Sequence, residues 1–471
     1  MGIIGRKTEQ EALKRFIESD KAELVAIFGR RRVGKTFLIR EFFGNKFTFY
    51  HTGLANTGME MQLHSFNTSL NNYSTSRYPT AKTWFDSFEQ LKHLLSNSRK
   101  KGKKIVFIDE MPWMDTPRSG FLAALEHFWN GWASGQKEIL LIVCGSATSW
   151  IVDKLLNNHG GLHNRVTQQI HLRPFTLSEC EEYYQKQQIV MSRYEMLENY
   201  MIFGGIPFYI SLMQKQFSMA QNVDNLLFAE NAVLKNEFQN LYASLFKKAE
   251  NHIKIVEALS RKAKGLTREE IIGITKLPNG GSTNRILEEL ELSGFIRRYK
   301  GYGKKIRQSM YQLVDFYTLF YFNFLKENAF NDEHYWTNFI ENARHRAWSG
   351  YAFEQVCLAH LPQIKQKLGI AGVLTNTYSW ISNNRENGAQ IDLVIERNDK
   401  VINLCEMKYA SEKFTIDKRQ DENLRHKRAA FREETQTRKA LHLTMITTYG
   451  VKRNQYWGNI QSEVTVNDLF K

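Results

Sequence analysis

Residues 23–36 read ELVAIFGRRRVGKT, and this stretch narrows the possible folds more than any other. From Leu24 to Phe28 the run is unbroken and apolar, which predicts a strand buried on both faces. Gly29, Arg30, Arg31, Arg32, Val33, Gly34, Lys35 and Thr36 then spell GxxxxGKT, and TFLIREFF predicts an amphipathic helix. In such a string the glycines let backbone N–H groups turn inward around a phosphate, at the start of a helix whose dipole favours an anion. Lys35 would reach the β- and γ-phosphates, and the Thr36 hydroxyl would bind Mg²⁺. Composition alone would place the string in about one or two of every hundred chains of this length. The strand before it and the helix after it reduce that sharply. A glycine-rich turn without nucleotide is the alternative.

Two further apolar runs fit the same sheet. KKIVFIDE (103–110) and EILLIVCGS (138–146) are rich in β-branched residues and end in acidic or small ones. With the first run they predict a parallel α/β sheet. Asp109, at a strand end, would hold Mg²⁺, and Glu110 could polarise the attacking water. Two acids there could instead cap the next helix, but their pairing with GxxxxGKT at a strand–helix–strand separation favours catalysis. Ser146 could contact the γ-phosphate or orient water from the neighbouring strand, or simply be a small strand-end residue. In GLHNRVTQQIHL, Arg165 precedes another apolar strand. It could supply transition-state charge from the same or an adjacent subunit, or be a surface arginine.

Length and composition set the outer limits. A chain of 471 residues suggests about three domains. Hydrophobic residues at 42% and charged ones at 24% exclude collagenous, low-complexity and wholly disordered chains. Lys plus Arg number 64 against 49 Asp plus Glu, a formal charge of +15 that favours nucleic acid or phosphates as partner. Cys144, Cys180, Cys357 and Cys405 are too scattered for a zinc spacing or a disulfide framework, which suits a reducing cytosol. No run approaches the roughly 20 apolar residues that span a bilayer. MGIIGRKTEQEALKRF lacks an apolar signal core. The expectation is a cytoplasmic protein with no membrane partner.

Beyond the sheet the pattern is helical, broken at FGGIP (203–207). Residues 250–313 read as a helix, a TREE-capped helix, a Gly-Gly-Ser turn, a third helix capped by Ser282, and a basic hairpin. This is a winged-helix pattern. Lys or Arg occur at 285, 297, 298, 300, 304, 305 and 307, against Glu288, Glu289 and Glu291. Six of those seven cations lie in 297–307, interleaved with Tyr299 and Tyr302, as on a wing that contacts DNA phosphates. The glutamates would be repelled by a major groove, leaving Thr283, Asn284 and Arg285 as base-reading candidates. A packing module is the other reading. YTLFYFNFL (317–325) predicts an apolar helix between modules, and 328–343 a polar linker.

In SGYAFEQVCLAHL, Glu354 lies on a predicted helix. ENGAQIDLVIE places Asp392 at a strand start, a hairpin turns at Asn398 and Asp399, and NLCEMKYA brings Glu406 and Lys408. Two apart in a strand, Glu406 and Lys408 share a face, with Asp392 on the neighbouring strand within reach. Two carboxylates, a lysine and a third acid from a helix can bind Mg²⁺ and activate water for phosphodiester hydrolysis. The lysine would stabilise charge on phosphorus. Acids that merely cap strands and pair with arginines are the alternative. Between 408 and 453, twelve Lys or Arg against six acids make a mildly basic helix. It could track a phosphate backbone or be a solvated face.

IIGRKTEQEAL, FGRRRVGKT, IDEMPWM, the Gly-Ser strand end and GGIPFYI occur in the order found in the archaeal-type ATPases, which the chain resembles over about residues 3–325. That family lies in the AAA+/STAND branch of P-loop NTPases. The resemblance implies ATP hydrolysis, with Gly5 and Arg6 near the adenine or ribose end and Pro207 touching the nucleotide from a helical domain. Residues 344–471 are similar to the PD-(D/E)xK nuclease superfamily, with Gly388 shortly before Asp392 and Ile391 where the motif's proline would stand. That likeness implies Asp392 and Glu406 as metal ligands, with Lys408 and Glu354 in the catalytic set. A nuclease that binds DNA without cutting remains open beside an active one.

The expected architecture is α/β: a P-loop ATPase domain at 1–173, a helical lid at 174–248, a winged helix with packing helix at 249–325, a linker at 326–343 and a restriction-endonuclease-like domain at 344–471. ATP and Mg²⁺ are the expected cofactors. DNA, through the winged helix and C-terminal domain, and a homo-oligomer are the partners this admits. The expected function is a nucleotide-gated DNA-processing or defence enzyme. Its rival is an ATP-driven signalling or assembly switch whose C-terminal domain binds without cleaving.

Overall fold

The apolar runs 23–28, 104–109 and 139–145 form strands in which every residue is buried. The computed structural model describes residues 2–157, 165–246, 248–305, 308–326, 332–339, 342–383 and 388–471. It divides into two units, Met1–Arg173 and Pro174–Lys471. In the first unit, β1 (Glu23–Phe28), β2 (Phe49–Thr52), β3 (Lys104–Asp109), β4 (Ile139–Gly145) and β5 (Gln168–His171) make one sheet in the order β2-β3-β4-β1-β5. Every pairing is parallel. Parallel neighbours need crossover helices, and these cover the strands that the sequence leaves without a polar face. The core is aromatic: Phe66, Trp84, Phe88 and Phe121 meet at tilted or edge-on angles. Because β4 lies between β1 and β3, the residues that follow these three strands emerge at one edge of the sheet.

The second unit begins with helices Leu177–Lys186 and Arg193–Phe203, each opened by a capping box, Thr176 with Glu179 and Ser192 with Glu195. Helices Ala249–Ser260, Arg268–Thr275 and Gly281–Leu292 accompany an antiparallel sheet of β6 (Leu266–Thr267), β7 (Ile296–Tyr299) and β8 (Met310–Leu313), in the order β6-β8-β7. Thr267 caps its helix through Glu270, as TREE predicts. Ser282 does not cap the next one. The Asn284 N–H already bonds to Gly280 O, so the chain has turned helical before Ser282, and Gly280 is the cap. Within the stretch predicted as a linker, Trp336 is only 1% exposed. Its N–H and that of Thr337 donate to the Asp224 carboxylate.

After helix Ala343–Ala359 comes a mixed sheet of β9 (Thr375–Ile381), β10 (Gln390–Arg397), β11 (Val401–Lys408), β12 (Ala440–Thr447) and β13 (Ser462–Thr465). Strands β9, β10 and β11 are antiparallel, β11, β12 and β13 parallel, with helix Lys418–Thr435 between β11 and β12. The tip of the β7–β8 hairpin joins this sheet. Tyr302 N–H donates to Ser379 O of β9 at 2.8 Å, and its ring packs against Tyr378 and Phe431. An edge strand has unpaired backbone groups to offer, so the tip expected to face DNA instead pairs within the chain. Arg307 lies outside the described residues.

Candidate functional site

Gly29, Arg32 and Gly34 all have positive φ, at 144°, 72° and 87°. Departures of this kind turn successive N–H groups inward, the geometry of an anion cradle. At Gly29 a Cβ would lie 2.2 Å from Leu172 O, so only glycine fits. Helix Lys35–Phe42 starts directly after Gly34. Lys35 is buried, and its ammonium donates to Gly29 O (2.8 Å) and Arg30 O (2.9 Å), holding the loop closed. Arg6, also buried and left-handed, donates to Val33 O at 3.2 Å and ties the N-terminal segment to the loop. Gly5 beside it is left-handed too.

Thr36 Oγ1 donates to Asp109 Oδ2 at 2.6 Å. Two hard oxygen donors reach one position there, a set that fits Mg²⁺. Glu110 is a non-glycine residue with φ 46°. Its backbone approaches Gly53 so closely that a Cβ there would lie 2.6 Å from Glu110 O. Both carboxylate oxygens of Glu110 are held by Ser146, through N–H at 3.3 Å and Oγ at 2.7 Å. Ser146, just past the strand between the P-loop strand and the acidic strand, thus orients the acid. Gly145 before it is needed for packing, since a Cβ would meet Pro112 Cδ at 2.6 Å. Burial, then the charge on Asp109, pushes the Cys144 thiol well above its usual range, so it stays protonated. Arg31 is exposed. Arg165 sits exposed in a turn before β5 and makes no hydrogen bond or ion pair among the described residues. Pro207 opens the short helix Pro207–Ser211 in the second unit, after left-handed Gly204 and Gly205.

In the C-terminal domain Leu393 pairs with Cys405, which puts Asp392 and Glu406 one residue further along adjacent strands. The β9–β10 register shifts between Ile391 and Val394; such a bulge re-aims the side chain it carries, here Asp392. Lys408 Nζ lies 2.9 Å from Glu406 Oε1, and Lys427 Nζ lies 2.7 Å from Glu406 Oε2. Burial pushes the Glu406 carboxyl up, but Lys427 and Lys408 outweigh it and hold it below its usual range. Burial, then the charges of Asp392 and Glu406, raise Glu354 to about 8. Among the described residues no three His, Cys, Asp or Glu side chains gather at metal-ligand spacing. Two carboxylates still fit Mg²⁺, which keeps several waters and needs one or two protein carboxylates. Lys427 was visible in the sequence only as part of a basic helix; its reach to Glu406 depends on how that helix packs. The base-reading candidates are engaged elsewhere: Thr283 with Pro278 O, Asn284 with Arg268, Arg285 with Glu289.

Together the parallel sheet and the Lys35–Thr36–Asp109–Glu110 constellation define a P-loop nucleotide-binding domain. Residues 4–213 match an ATPase domain found predominantly in Archaea. An uncharacterised protein of Methanocaldococcus jannaschii is 22% identical over 411 residues, 86% of this chain and 87% of that one. An uncharacterised ATP-binding protein of the same organism is 51% identical over 44 residues, 9% of this chain and 75% of its own length. Among solved structures, a Walker-type ATPase of Pyrococcus abyssi superposes with a TM-score of 0.51 at 17% identity, over 68% of this chain and 96% of that one. At that identity the likeness is one of fold. No helix among the described residues is long and apolar enough to cross a membrane.

Proposed function

We propose that the chain hydrolyses ATP at the P-loop and couples this to Mg²⁺-dependent phosphodiester hydrolysis by its C-terminal domain, in DNA processing or defence. The observation that carries the first half is the pairing of Thr36 with Asp109 beside a Glu110 whose carboxylate Ser146 holds in place. Backbone N–H groups at the start of helix Lys35–Phe42 would hold the phosphates, and Lys35 would exchange loop carbonyls for phosphate oxygens. Thr36 and Asp109 would hold Mg²⁺, which supplies neutralising charge on the β- and γ-phosphate oxygens. Glu110 would take the proton of the attacking water. Arg165 is exposed, as an arginine acting on a neighbouring subunit of a homo-oligomer would need to be.

Adjacent placement of Asp392, Glu406 and Lys408 on β10 and β11 supports the second half, with residues 344–471 read as a PD-(D/E)xK-like domain. Residues 249–325 are read as a winged helix and its packing helix, and 174–248 as the lid. The four cysteines are buried and form no disulfide among the described residues, which suits a reducing cytoplasm. Asp392→Ala should abolish Mg²⁺- or Mn²⁺-dependent cleavage of plasmid DNA; cleavage that survives it refutes the site. A second reading, an ATP-driven switch whose C-terminal domain binds without cutting, is favoured by one observation. Both oxygens of Glu406 are paired with lysines. Absence of cleavage together with an ATP-dependent change in oligomer size would establish it.

A further inference from the structure

Between the β7–β8 hairpin and the C-terminal sheet lies a cleft of about 700 Å³. Arg297, Arg298, Tyr299 and Lys300 line it from the hairpin, Glu354 and Asp392 from the other side. The walls are joined at the tip, where Gly301 bridges to Ser379 and Tyr302 N–H bonds to Ser379 O. Arg297 donates Nε to Gln312 Oε1 at 2.9 Å, and Nη2 donates to the same oxygen, so the guanidinium is fixed in direction. Its Cζ lies 5.4 Å from the Tyr299 ring centre, and the Tyr299 hydroxyl donates to Lys264 O, which fixes the ring as well. Glu354 makes no hydrogen bond or ion pair among the described residues.

Cations thus face acids across a gap that already has its ring and its guanidinium in place. A volume in the small-molecule range of about 300–1,000 Å³ admits roughly one or two nucleotides of an extended strand and no duplex. Proteins that hold single strands combine a basic groove for the backbone with aromatic faces for the bases. This cleft has both.

We propose that the cleft binds an unpaired nucleic-acid strand, with Arg297, Arg298 and Lys300 on its phosphates and Asp392 facing the bond to be cut. The substrate is then a strand end, flap or displaced strand. This rests on the hydrolytic reading of the Asp392 and Glu406 site.

Fluorescence anisotropy of the full chain, in Ca²⁺ and across a salt series, tests it with three labelled probes of equal length: single-stranded DNA, single-stranded RNA and blunt duplex DNA. We expect single-stranded DNA or RNA to bind about tenfold more tightly than duplex, the two single-strand arms showing which polymer is taken. The double variant Arg298→Gln/Lys300→Gln, at two exposed positions, should weaken that binding and reduce the slope of log affinity against log salt by about 0.7 per lost phosphate contact. Duplex bound as tightly as single strand, no single-strand binding, or an unchanged slope in the folded double variant overturns the proposal. Single-strand preference without Mn²⁺-dependent cleavage supports the cleft and sinks only the hydrolytic reading.

Discussion

Ser146 sits at the end of β4 with its hydroxyl on Glu110, while Gly145 leaves room for Pro112. The two residues do separable work. Ser146→Ala removes the hydroxyl that holds one carboxylate oxygen, keeps the backbone N–H on the other and fills no space, so ATP hydrolysis should fall about 10-fold with nucleotide affinity almost unchanged. Steady-state turnover beside equilibrium nucleotide binding checks this, and an unchanged rate would show that Glu110 needs no such support. Gly145→Ala should destabilise the first unit by about 1–3 kcal/mol, because the added methyl must displace a proline ring. Urea unfolding measures it. A Gly-Ser pair after an apolar strand was legible. Its partner was not, because the bond to Glu110 depends on β4 lying beside β3 rather than outside it.

At the scale of elements, His360 joins two helices. Its Nε2 accepts from Leu177 N–H at 3.0 Å, so Nδ1 carries the proton and donates to Val356 O at 2.9 Å. Burial lowers its pKa to about 4. The folded ring is neutral, whereas the unfolded one binds a proton near its ordinary 6.5. The contribution of His360 to stability is therefore complete above about 6.5 and is lost as pH falls toward 4, by about 3 kcal/mol in all. His360→Gln should flatten that part of the stability–pH curve, as read by denaturant melts at each pH; a curve of unchanged slope would mean that another group sets it. Legibility divided along similar lines. Strands β1, β3 and β4 could be read because each is apolar except at its ends, and the Thr267–Glu270 box because its partners are three residues apart. The pairing of Tyr302 with β9 joins positions nearly eighty residues apart and leaves no local pattern. Trp336 in a polar stretch was a signal that could have been used, since a lone tryptophan there has to be buried somewhere.

Over the whole molecule, the formal charge of +15 has several uses. Arg6 and Lys35 support the phosphate loop, Lys408 and Lys427 hold Glu406, and Arg297, Arg298 and Lys300 line the cleft. The excess read from composition as affinity for some polyanion thus divides among the P-loop, the Glu406 cluster and the cleft proposed to take a strand. The relative that aligns over 411 residues matches well beyond the ATPase domain, so the two halves occur together in more than one chain. The proposed coupling of the second half to ATP presupposes that the first turns over nucleotide. The direct test is phosphate release from ATP and Mg²⁺ by the wild-type chain and by Lys35→Ala. Steady turnover by the wild type, reduced about 100-fold or more in the variant, is the predicted result. Equal rates in the two proteins, or none in a folded wild type that binds ATP, would contradict it.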